Sequence, residues 1–111
     1  MPDAPLDARI LDRLFVTVAA RKGADPGSSY TARLFAKGRQ KIARKVGEEA
    51  IEVIVAAMAE GRDRVAEESA DVLYHLLVLW AATGVAPEDV WKALAAREGI
   101  SGITEKERRG R

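Results

Sequence analysis

The sequence has 111 residues and a mass of 12.0 kDa, enough for a single domain over residues 1–111 in which a lone chain buries only about two thirds of its unfolded surface. Its formal net charge of +1 is too balanced for a general nucleic-acid binder or a membrane-surface protein, so neither partner is expected. Without cysteine there is no disulfide framework and no thiolate metal site, which fits a reducing compartment.

The opening Met1-Pro2-Asp3-Ala4-Pro5 lacks the positive and apolar regions of a secretory signal. Leu6, Ile10, Leu14, Phe15 and Val18 recur at helical spacing and predict an amphipathic first helix from about Leu6 to Arg21. Gly23-Ala24-Asp25-Pro26-Gly27 breaks it, and Ser28 or Ser29 can cap a short helix through Thr31-Ala32-Arg33-Leu34-Phe35. This connecting loop is either a substrate contact or ordinary turn chemistry. Gly38 separates the short helix from a long one spanning about Arg39 to Ala59. Ile42, Val46, Ala50, Val53 and Ala57 share one side of it, with Glu49 at the border, and beyond Glu52 the residues Ile54, Val55 and Met58 make it apolar around most of its circumference.

Gly61 can end the long helix and Asp63 can begin the next, from about Asp63 to Thr83, so the two fold back antiparallel. Val72 to Ala82 is interrupted only by Tyr74 and His75, yet the uninterrupted apolar run, Leu76 to Ala82, is far short of the ~18 residues of a membrane span. A cytoplasmic protein is expected. Two helices apolar on more than one side need more cover than one small chain offers, which predicts a homodimer with a shared helical core. Pro87 suits the first turn of a last helix reaching about Arg97, and the stretch from Gly99 to Arg111 reads as a solvated, frayed terminus.

Charge is unevenly spread along this framework. From Tyr30 to Gly47 the charged residues are Arg33, Lys37, Arg39, Lys41, Arg44 and Lys45, all basic, whereas Glu48 to Asp71 carries eight acids against Arg62 and Arg64. Glu49 and Glu52 share a helix face with Glu48 one turn before Glu52, and Glu68 and Asp71 repeat that spacing on the facing helix. At ~5.5 Å and an effective dielectric of about 20, two carboxylates repel by roughly 3 kcal/mol, so four that face one another call for a cation. Carboxylate oxygens are hard ligands suited to Mg²⁺ or Mn²⁺, and one histidine with no cysteine leaves little for a softer site.

Either pair alone would read as solvated charge on an exposed face. Glu68, Asp71 and His75, however, form a polar stripe on an otherwise apolar helix, which weakens that reading for Glu68 and Asp71. Spacing does not separate Glu67 from Glu68 as the inward residue. His75 reads as a hydrogen-bonded core histidine or a group behind a ligand, and Tyr74 as a packed ring with its hydroxyl satisfied. Periodicity and charge therefore reach a metal-binding helical dimer, and a dimerisation or regulatory module without catalysis remains open.

Glu48-Glu49-x-x-Glu52 followed by Glu68-x-x-Asp71 resembles the pattern of the MazG-like all-α nucleoside triphosphate pyrophosphohydrolases, whose acidic residues hold Mg²⁺. Four blocks are similar, in this order, to the phosphoribosyl-ATP pyrophosphatase family: Ser29-Tyr30-Thr31-Ala32-Arg33-Leu34-Phe35, Lys45-Val46-Gly47-Glu48-Glu49-Ala50, Ala70-Asp71-Val72-Leu73-Tyr74-His75-Leu76-Leu77-Val78-Leu79 and Ser101-Gly102-Ile103-Thr104-Glu105-Lys106. The resemblance runs from Arg21 to about Arg109. It implies an all-α, MazG-like antiparallel bundle of four to five helices per chain, completed by homodimerisation. It also implies Mg²⁺-dependent hydrolysis of phosphoribosyl-ATP between its α and β phosphates to phosphoribosyl-AMP and pyrophosphate, the second step of histidine biosynthesis.

In the implied site Mg²⁺ is held by Glu49, Glu52, Glu68 and Asp71. Glu48 is a further ligand or the base that orients water, and Lys45 stabilises charge on the pyrophosphate. Lys37, Arg39 and Lys41 join them as weaker phosphate contacts, on charge distribution alone. The alternative is a house-cleaning pyrophosphohydrolase of non-standard nucleotides, which shares the acidic core; the Ser29-Tyr30-Thr31 and Ser101-Gly102-Ile103 blocks argue against it. The zinc-bearing cyclohydrolase domain to which some family members are fused is not expected within these 111 residues, which contain no cysteine. Trp80, where an aliphatic residue is expected, reads as a packing change.

Overall fold

The computed structural model describes residues 4–100 and 102–110; Met1, Pro2 and Asp3 of the expected leaderless start and Ser101 of the last matched block lie outside the described residues. Among the described residues the chain is all α and has no strand: α1 (Arg9–Ala20), α2 (Tyr30–Lys37), α3 (Arg39–Val55), α4 (Arg62–Thr83), α5 (Pro87–Ala95) and α6 (Gly102–Arg109).

The hairpin of α3 and α4 is the spine on which the other helices pack. Gly61 makes the turn with φ +112° and ψ 175°, a conformation that a Cβ makes costly, and α4 begins at once with Arg62 rather than at Asp63. Before the turn α3 widens. Ala56–Glu60 forms a π turn closed by the Gly61 N–H donating to the Ala56 carbonyl at 3.0 Å, so the α-helix expected to reach Ala59 ends at Val55. At 100° per residue Ala56 returns to within about 40° of Ile42, and it, rather than the exposed Ala57, is buried. The inward stripe of α3 is thus Ile42, Glu49, Val53 and Ala56, with Glu49 in its middle.

Ser29 caps α2, its Oγ accepting the Ala32 N–H at 3.1 Å, and Gly38 at φ +100° turns the chain directly into α3. Val18, Leu34, Ile42 and Val78, one from each of α1 to α4, make the core, with Leu14, Phe35 and Tyr74 packed around it. Trp91 ties α5 down. Its ring meets Trp80 edge-on with centroids 6.0 Å apart, and its Nε1–H donates to Asp12 Oδ1 at 3.3 Å, so Trp80 is a packing residue.

Helix ends differ from the sequence expectation for local reasons. Asp7 Oδ1 accepts the Arg9 N–H at 3.0 Å, which starts α1 at Arg9 and leaves Leu6 exposed outside it. The α5 helix stops at Ala95 rather than Arg97. The terminus read as frayed is instead helical over Gly102–Arg109, with Lys106, Arg108 and Arg109 in its last turn where cations complement the helix dipole. No single helix among the described residues is long and apolar enough to cross a membrane.

One face of the hairpin has α1 and α2 against it and the other is open. Ile51, Ile54 and Met58 are 60%, 61% and 82% exposed on that open side. A groove of about 500 Å³ runs there between Ala50, Val53 and Ile54 of α3 and Ser69, Val72 and Leu73 of α4.

Candidate active site

Because Glu49 lies mid-stripe on α3 and Glu68 and Asp71 lie on the facing side of α4, the hairpin gathers the three carboxylates. One oxygen from each lies within 4.8 Å of the other two. Exposure grades across the trio: Glu68 is buried, Glu49 is partly covered and Asp71 is exposed, so the cluster has a protein floor and an open mouth. Glu67, exposed, points away, which settles the choice that spacing left open. Glu52 and Glu48 stand exposed at the rim, outside the trio.

Two cations answer these acids from within the chain. Lys45 Nζ lies 3.3 Å from Glu49 Oε1 and 3.7 Å from Glu48 Oε1. Its hydrogen bond to Glu49 raises the Lys45 pKa, so the ammonium stays charged. Arg64, which the sequence reading did not single out, donates from Nη2 to Glu68 Oε1 and from Nη1 to Glu67 Oε1, both at 2.5 Å. The spacing of four between Arg64 and Glu68 was a legible signal for that pair. Burial pushes the Glu68 carboxyl pKa up; the Arg64 guanidinium opposes this, while Asp71, Glu52 and Glu49 add to it. Glu52 is therefore electrostatically part of the site although outside the trio.

Behind Asp71 a polar chain fixes α2 against α4. His75, buried, has Nδ1 2.8 Å from the Asp71 backbone carbonyl and Nε2 2.9 Å from Tyr30 Oη. A carbonyl only accepts, so Nδ1 carries the proton and, in the neutral ring, Tyr30 donates to Nε2. Beside it the Tyr74 hydroxyl hydrogen-bonds Thr31 Oγ1. Tyr30 is half exposed, and burial raises its pKa, with Lys45 opposing. The first residue of α2 thereby stands over the acidic cluster.

The remaining sequence candidates are not brought to it. Arg39 is ten residues before Glu49, about 15 Å along α3, Lys41 is about 12 Å away by the same measure, and Lys37 ends α2. None of the three makes an ion pair or side-chain hydrogen bond among the described residues. In the connecting loop Asp25 Oδ1 accepts the Gly27 N–H at 3.0 Å and Ser28 Oγ donates to the Asp25 carbonyl at 3.1 Å, which is turn chemistry.

Three hard oxygen donors around an open mouth suit a divalent cation. Their oxygens, within 4.8 Å of one another, would draw together around a bound ion toward the ~3 Å that separates adjacent ligands at ~2.1 Å bonds around Mg²⁺.

Comparison with known proteins agrees with this chemistry. Residues 11–98 match the family model described as Phosphoribosyl-ATP pyrophosphohydrolase. A phosphoribosyl-ATP pyrophosphatase of Paramagnetospirillum magneticum is 59% identical over 105 residues, covering 95% of this chain and 96% of the relative. Those of Azospirillum brasilense and Rhodospirillum rubrum are 56% identical over 109 residues and 58% over 102, covering 98% and 92% of this chain and 98% and 87% of each relative. Since the matched span holds α2, the whole α3–α4 hairpin and every acid of the cluster, the chain belongs to the phosphoribosyl-ATP pyrophosphohydrolase family.

Proposed function

We propose that this chain hydrolyses phosphoribosyl-ATP to phosphoribosyl-AMP and pyrophosphate, the second step of histidine biosynthesis, at the Glu49–Glu68–Asp71 cluster. The observation that carries the reading is a similarity of 56% and 59% identity, over nearly the full length, to relatives that bear that activity in their names, together with an acidic trio in the region matched.

Glu49, Glu68 and Asp71, joined by Glu52 from the rim, would hold Mg²⁺, with Mn²⁺ as the alternative. The bound ion supplies charge neutralisation for the triphosphate and a more acidic water. Glu48, exposed and 3.7 Å from Lys45 Nζ, accepts the proton of the attacking water. One P–O bond forms to that water as the α–β phosphoanhydride bond breaks. Lys45 donates to the departing pyrophosphate, a role its raised pKa keeps available at neutral pH. Arg64 holds Glu68 in place, and Tyr30 with His75 holds α2 over Asp71.

The open face of the hairpin supports a homodimer. The chain exposes 7852 Å², against about 6,000 Å² for an average monomer of this mass, and a standard interface covers about 800 Å² on each partner. A second copy laid on Ile51, Ile54, Met58 and Leu73 would complete the core.

A Glu49→Gln, Asp71→Asn double variant tests the site by titration with Mn²⁺ and by product analysis. The wild type is expected to yield phosphoribosyl-AMP and pyrophosphate rather than phosphoribosyl-ADP and phosphate, and the variant to lose at least about a hundred-fold in both metal affinity and rate. Unchanged metal affinity in a folded variant would leave the proposed site without support.

A further inference from the structure

The substrate proposed above differs from ATP by a second ribose on the adenine and the phosphate that ribose carries. Selecting it over ATP requires a subsite for that group at a distance from the metal cluster. We propose that the cavity between the α1–α2 loop, α2, the start of α3 and the end of α4 binds this distal phosphate, with Lys22 and Arg39 as its cationic contacts; the proposal rests on that substrate reading.

The cavity holds about 390 Å³, within the range of small-molecule sites, and its walls include Lys22, Ala32, Phe35, Arg39, Ile42 and Ala82. No acid lines it. Lys22 Nζ is held at the wall, donating to the Ala81 carbonyl at 3.3 Å, and neither Lys22 nor Arg39 has a carboxylate partner among the described residues. Two cations over an apolar floor of Ala32, Phe35 and Ile42 match a phosphate attached to a sugar.

Placement favours the same ligand. Arg39, Ile42, Lys45 and Glu49 step by three and four residues along α3, and Asp71, His75, Val78 and Ala82 do so along α4. The cavity and the acidic cluster therefore share one face of the hairpin. Arg39 lies about 15 Å before Glu49 along α3 and Ala82 about 17 Å beyond Asp71 along α4, with Tyr30 at the cluster end of α2. That separation is of the order between the two phosphorylated ends of a nucleotide that carries a second sugar on its base. Arg39, too distant for the pyrophosphate, acquires a place at the other end of the substrate.

The test is the rate of pyrophosphate release from phosphoribosyl-ATP, from its ribosyl analogue lacking the distal phosphate, and from ATP. Wild type, Lys22→Gln, Arg39→Gln, the double variant and the charge-preserving Lys22→Arg and Arg39→Lys are compared, with thermal unfolding as the check on folding. Each Gln variant is expected to raise KM for phosphoribosyl-ATP roughly ten- to a hundred-fold with a smaller change in kcat. The loss on the analogue should be at least ten-fold smaller, and the charge-preserving variants should keep most of the preference. Equal losses on both substrates, or a preference that survives the double substitution, would overturn the subsite while leaving the substrate reading intact. A wild type indifferent between phosphoribosyl-ATP and ATP would overturn both.

Discussion

Glu68 places a carboxylate where only 7% of the residue is exposed, with the Arg64 guanidinium as its answer from within the chain. Its folded pKa lies above the ordinary 4.5, so over the window from 4.5 up to the raised value the folded chain binds more protons than the unfolded one. Without metal, stability should therefore fall as pH rises through that window and then level off. A cation reverses the preference, because it binds the ionised form. Mn²⁺ is expected to raise the melting temperature more at pH 7 than at pH 5, measured by calorimetry, and Glu68→Gln should remove both the slope and most of the shift. At the same scale, Tyr30→Phe leaves His75 Nε2 unpaired beside the site and should cost about 1 kcal/mol of stability by denaturant unfolding. The inward role of Glu68 rather than Glu67 was not legible in the sequence because both sit one turn from Asp71. The packing of α4 on α3 decides it, burying Glu68 beside Glu49 and leaving Glu67 exposed, while Arg64 reaches both.

At the scale of elements, the hairpin turns on a single residue. Nothing lies within 4 Å of where a Cβ at Gly61 would stand, so Gly61→Ala meets only the strain of its +112° φ. That strain should cost roughly 1–3 kcal/mol, a drop of about 4–12 °C in melting temperature. The hairpin itself was readable from Gly61 between two apolar periodic runs, as were the short helix after Ser29 and the helix opened by Pro87. The π turn over Ala56–Glu60 was not, since no residue type announces an i to i+5 bond. Nor was α6, because a charged stretch without an apolar stripe carries no periodic signal although its residues favour helix.

For the whole molecule, the radius of gyration is 16.0 Å, where a typical compact chain of this length has about 13 Å. The difference accords with an open apolar face that a partner would cover. Met58→Glu together with Ile54→Glu places two charges on it and is expected to convert a dimer into monomers in light scattering; a wild type that stays monomeric at high concentration would remove the shared core. The exposed apolar face was legible in the sequence, as two helices with apolar residues on more than one side. The distal cavity was not, because it is assembled from Lys22, Arg39 and Ala82, which stand far apart in the chain and carry no shared motif.

The most direct measurement is pyrophosphate release with Mg²⁺ from phosphoribosyl-ATP set against a panel of ordinary and damaged nucleoside triphosphates. The account predicts a kcat/KM for phosphoribosyl-ATP that exceeds every member of the panel by at least about a hundred-fold. Comparable release across the panel would contradict it, identifying a house-cleaning enzyme built on the same acidic trio.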